Sequence, residues 1–101
     1  MADNGGLAAA YDAYKLSLGG KPAPEIAGFT GDQRFFLAWA QIFKTVFREA
    51  ALRNVLLTGD HAPSKWRAFE VRNQDAWYDA FDIERKDKLY LPEEERVDIW
   101  R

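Results

Sequence analysis

Three residues have types and positions suited to chemistry: His61, Arg67 and Asp3. His61, the chain's one histidine, stands in Asp60-His61-Ala62-Pro63, a stretch without helical periodicity. Its proton equilibrium lies near neutrality, so a loop imidazole can donate to negative charge developing on a substrate. A solvated or helix-capping histidine is the plainer alternative. Arg67 follows six residues on, close enough to share a site. Its rigid fork of donors suits a carboxylate or a carbonyl, and an ordinary surface arginine fits the same pattern. Asp3 precedes a predicted helix, where a carboxylate caps amide groups and complements the dipole.

Other chemistries find no support. With no cysteine, one histidine and no H-E-x-x-H, no pair of ligands has metal-site spacing. Glu93-Glu94-Glu95 reads as a solvated face, and no Gly-rich phosphate loop occurs. The net charge is −2, with Lys and Arg scattered among Asp and Glu, so a basic face for nucleic acid is missing. No stretch approaches the roughly 20 apolar residues of a membrane span, and the first residues do not resemble a signal peptide. The absence of cysteine excludes disulfides and leaves the compartment open.

The elements that must position these residues read as helices. Leu7, Ala10, Tyr11, Tyr14 and Leu18 recur at helical steps and predict a helix over 4–18, ended by Gly19 and Gly20. Residues 19–29 read as a loop. Thr30-Gly31-Asp32-Gln33 has the Thr-x-x-Gln form of a capping box. It predicts a helix over 31–48 with a core stripe of Phe35, Phe36, Trp39, Phe43, Val46 and Phe47. The pattern stays helical over 49–57, with or without an intervening bend. Residues 58–74 read as a long irregular loop. A shorter helix to Phe81 follows, with Trp77, Tyr78 and Phe81 buried. Residues 86–90 read as a polar connector. Pro92 suits the first position of a last helical turn, and Val97, Ile99 and Trp100 form an apolar tail that docks. The fold class is therefore all-α. A chain of 101 residues is one domain or part of one. Its four Trp, four Tyr and seven Phe could fill a core, or half of a core completed elsewhere.

Four stretches taken together resemble the C-terminal portion of the neprilysin-like (M13) zinc endopeptidases. They are Ala2-Asp3-Asn4-Gly5-Gly6-Leu7 with Ala10-Tyr11, Thr30-Gly31-Asp32-Gln33 with Phe35-Phe36, His61-Ala62-Pro63 with Arg67, and Asp87-Lys88-Leu89-Tyr90-Leu91-Pro92 through Arg96-Val97 to Ile99-Trp100. They follow the family's order at nearly its spacing and cover essentially the whole chain.

The resemblance implies zinc-dependent peptide-bond hydrolysis in the complete enzyme. The metal there is held by an H-E-x-x-H helix and by the glutamate of Glu-x-x-Ala-Asp. Ala2-Asp3 match the end of the second motif, and its glutamate would fall two residues before Met1. The chain is thus expected to be the C-terminal part of the catalytic domain, truncated just after the third ligand. It is expected to bind no zinc and to be inactive alone. By resemblance, Asp3 hydrogen-bonds a zinc-ligand histidine from behind, His61 donates to the oxyanion of the tetrahedral intermediate, and Arg67 organises the site and contacts substrate backbone.

The implied partners are the rest of the catalytic domain or another copy of this chain, with peptide substrates in the complete enzyme. The parent would be bacterial in type, either exported and surface-associated or cytoplasmic. A different class of reading is a stand-alone helical interaction module derived from the peptidase, without catalysis. The chain departs from the family at Gly59, where an aspartate two residues before the histidine is common. The segment 67–73 is about one residue short, and Arg101 extends past the usual terminal tryptophan.

Overall fold

Alanine-rich sequence with Leu7, Tyr11 and Tyr14 on one face gives the first helix, α1 (Ala2–Ser17), in a computed structural model that describes residues 2–44, 48–59 and 62–100. Asp3 lies inside its first turn rather than ahead of it. Gly19 and Gly20, at φ +59° and +80°, stop the helix as expected. Within the following loop, Ile26 and Phe29 exchange both backbone hydrogen bonds at 3.0 Å. Ala27 and Gly28 between them have φ +53° and +80°, the requirement of a type I′ turn.

Helix α2 (Gly31–Ile42) starts on a complete capping box: the Gln33 amide donates to Thr30 Oγ1 at 3.2 Å, and the Thr30 amide donates to Gln33 Oε1 at 3.0 Å. It ends at Ile42, short of the expected limit near Arg48. The Phe43 amide turns back onto the Ala40 carbonyl, and the β-branched Thr45 and Val46 that follow are weak helix formers. Val46 and Phe47, the end of the expected stripe, lie outside the described residues. Arg48 is extended (φ −68°, ψ 149°), so the next helix, α3 (Glu49–Thr58), is separate from α2. It contributes no buried residue.

The expected long loop over 58–74 is largely helical. Pro63, at ψ 151°, leads into α4 (Ser64–Ala68), which runs directly into a 3₁₀ segment, Phe69–Asn73. Proline's fixed φ favours a helix start, which periodicity over so short a run could not reveal. Helix α5 (Asp75–Phe81) matches its expected extent and ends at Asp82 in the left-handed region. Pro92 precedes a final 3₁₀ turn, Glu93–Glu95, instead of opening it.

The fold is all-helical: among the described residues the Ile26–Phe29 bridge is the one β-type pairing. The core is Leu7, Phe36, Val71, Trp77 and Tyr78, flanked by partly buried Tyr11, Phe35, Trp39 and Phe81. The tail docks against the start of α1. Trp100 Nε1 donates to the Gly5 carbonyl at 3.1 Å, and a β-carbon at Gly5 would collide with Ile99. Arg96 braces this tail, its guanidinium 3.7 Å from the Tyr78 ring centroid and its Nη1 3.0 Å from Asp75. Burial would lower the Arg96 pKa, but Asp75 and Tyr78 together raise it above its ordinary value.

Candidate functional site

Two of the three sequence candidates meet. Arg67 on α4 reaches the first turn of α1 and grips Asp3 with two parallel hydrogen bonds, Nε to Oδ2 at 2.7 Å and Nη2 to Oδ1 at 3.0 Å. Both side chains are partly buried, at 28% and 20% exposure, so the pair is shielded without being sealed. The hydrogen bonds Arg67 donates to Asp3 hold its pKa above the ordinary value, against a smaller opposing effect of desolvation. Asp3 is therefore the acceptor of a bidentate fork, made from inside the first turn of α1.

The sequence did not point to the residues that seat this arginine. The Arg67 guanidinium carbon lies 4.8 Å from the Phe43 ring centroid, a cation–π distance. Trp39, one turn earlier, donates its indole N–H to the Arg67 carbonyl at 3.2 Å and packs edge-on against Phe43 at 4.8 Å. Both belong to the expected core stripe of residues 31–48. Their i, i+4 spacing was visible, but their service to a cation sixty-odd residues from Asp3 was not. An open groove of about 360 Å³ runs between α1 and α2, with Leu7, Phe35 and Trp39 in its wall. Asp3 is the charged residue in that otherwise apolar lining.

His61, the third candidate, lies outside the described residues, as does Asp60. Gly59, where the family commonly has aspartate, is the C-cap of α3, and a β-carbon there would lie 2.6 Å from the Val55 carbonyl oxygen. This helix end accommodates glycine and would have to shift to carry an aspartate.

The residue after Asp3 is tied as firmly. Asn4 is 2% exposed. Its Nδ2 donates to the Val97 carbonyl at 2.6 Å, and its Oδ1 accepts from Gln74 Nε2 at 2.6 Å. A buried amide on a helix face that should be apolar is the signal that could have singled it out.

Among the described residues no group of three His, Cys, Asp or Glu side chains could hold a metal ion. Asp3 accepts from Arg67, whose guanidinium is a poor neighbour for a dication. The described residues therefore do not themselves fit a zinc site.

The sequence profile of Peptidase family M13 matches residues 1–97. Neprilysin-21 of Caenorhabditis elegans is 38% identical over 88 residues, covering 80% of this chain and 11% of that protein. A neutral endopeptidase of Lactococcus lactis subsp. cremoris is 32% identical over 101 residues, covering 99% of this chain and 14% of its own length. Two structures of the zinc metalloprotease ZMP1 of Mycobacterium tuberculosis share 48% identity and cover 98% of the chain. The inhibitor-bound crystal structure superposes with a TM-score of 0.94 over 15% of its chain, and the open-state cryo-EM structure with 0.92 over 16%. The chain thus spans 11–16% of the length of these relatives.

Proposed function

The chain belongs to peptidase family M13, and from that premise we propose that it is the C-terminal segment of a zinc metalloendopeptidase catalytic domain, supplying residues that orient the site and stabilise charge during peptide-bond hydrolysis. The bidentate Asp3–Arg67 pair carries this reading. A carboxylate can accept more than two hydrogen bonds, so the Arg67 fork is compatible with the role the family resemblance gives Asp3, accepting from an imidazole N–H. Arg67 stays cationic at any working pH and holds that carboxylate at one angle. His61 would donate to the developing oxyanion. The zinc named for the Mycobacterium relative would be held by ligands other than the described residues. The rest of the catalytic domain would be the partner and peptides the substrate.

The test is cleavage of an internally quenched peptide by the protein purified from its natural source, with and without a zinc chelator. Chelator-sensitive cleavage is expected, with kcat/KM at least about tenfold lower in Asp3→Asn and in Arg67→Lys. Normal turnover in both variants would overturn the assigned roles, and no cleavage by the unaltered protein would overturn the peptidase reading. One observation favours the interaction-module reading instead: α3 leaves Leu56 and Leu57 59% and 84% exposed. A natural protein that cleaves nothing and carries a partner on that face would bear it out.

A further inference from the structure

Asp3 and Asn4 are consecutive residues at the start of α1, and each is gripped by one end of the same short segment. Arg67 takes Asp3 through two bonds. Seven residues later Gln74 takes Asn4, its Nε2 donating to Asn4 Oδ1 at 2.6 Å and to the Asn4 carbonyl at 3.2 Å. Between these ends the backbone is helical throughout, α4 passing into the 3₁₀ segment, and the Gln74 amide closes it on Val71 at 2.9 Å. A single attachment would leave α1 able to pivot about the arginine. Two attachments on adjacent residues fix both the distance and the rotation of its first turn. The Asn4 side chain is further held by Val97 from the docked tail.

We propose that Gln74 and Asn4 form a positioning pair that sets the Asp3 carboxylate square to Arg67. Its importance to catalysis rests on the peptidase reading above, whereas the positioning itself does not. Gln74 acts through Asn4, which accepts from its Nε2 at both the side-chain and the backbone oxygen.

The test is hydrogen exchange at Arg67 Nε–H in the natural full-length chain labelled with 15N-arginine, the signal being assigned by its loss in Arg67→Lys. That N–H is bonded to Asp3 at 2.7 Å and reports the pair directly. In Gln74→Glu the side chain keeps its size and loses its donors, so exchange should quicken by about tenfold or more, the worth of one good hydrogen bond. Gln33→Met is the control: it removes another cross-brace, from Gln33 Nε2 to the Ala80 carbonyl at 2.9 Å, and should lower stability while leaving Arg67 exchange unchanged. Unchanged exchange in Gln74→Glu, or an equal rise in Gln33→Met, overturns the proposal. Should Gln74→Glu fail to fold, Gln74→Met is read for the same signal. Faster Arg67 exchange with undiminished peptide cleavage supports the positioning pair and removes the catalytic role of Asp3–Arg67, so the two failures are separable.

Discussion

Single side chains in this chain change character with their partners, and Tyr11 shows the effect as clearly as Arg67. Its hydroxyl donates to Asp32 Oδ2 at 2.7 Å, and Lys15 approaches the other oxygen at 3.2 Å. Desolvation, then the hydrogen bond and negative charge of Asp32, raise the Tyr11 pKa well above its ordinary value. The unfolded chain releases that proton near pH 10 and the folded chain retains it. The contribution of Tyr11 is therefore complete below pH 10 and falls as pH rises from there towards the folded pKa. Thermal unfolding followed from pH 8 to 11.5 should show a decline at the alkaline end that is shallower in Tyr11→Phe. At neutral pH the same substitution should cost about 1 kcal/mol, the worth of one hydrogen bond. Parallel pH profiles would mean that Tyr11 ionises freely.

At the scale of elements, local chemistry decides boundaries and tertiary contacts decide everything else. The Thr30 box was legible because it needs two side chains at a fixed spacing, and both of its bonds are present. Thr30→Ala should cost about 1 kcal/mol, read as a drop in the denaturation midpoint at constant slope. Ala27 is the opposite case. No periodicity announces a turn with alanine at φ +53°, and Ala27→Gly should stabilise the protein by about 1 kcal/mol by the same measurement, since glycine meets no steric penalty there. The helical class, α1, α5 and the docking of Trp100 could be read from the sequence because each carries a continuous apolar pattern. The α2 end and α4 could not. Phe43 looks like another member of a stripe until it leaves the helix, and a five-residue helix is too short to show a period. The family motifs singled out Asp3 and Arg67 as separate residues, but the bond between them joins residues 64 apart and the Gln74–Asn4 bond residues 70 apart. No local pattern encodes such pairings.

For the whole molecule the decisive quantity is surface. A folded chain of this mass should expose about 5,800 Å², and this one exposes 7562 Å². Its radius of gyration is 15.2 Å, where a compact domain of this length has about 13 Å. Among the described residues five buried apolar side chains form the core, while Leu16, Ile42, Leu56, Leu57, Trp66 and Trp100 are each more than half exposed. A surface excess on that scale, with these apolar side chains in it, matches one side of a substantial protein interface. The isolated 101 residues should therefore bind a hydrophobic dye and sediment faster as concentration rises into the tens of micromolar, typical of weak association through such a patch. Leu56→Lys with Leu57→Lys should suppress both effects and leave the unfolding midpoint almost unchanged, because neither side chain is buried. Leu7→Ala, at 3% exposure, should instead lower stability by about 2–5 kcal/mol. If the double lysine variant loses stability like Leu7→Ala, then α3 belongs to the chain's own core. If it loses only dye binding and association, α3 is the face that another protein surface covers.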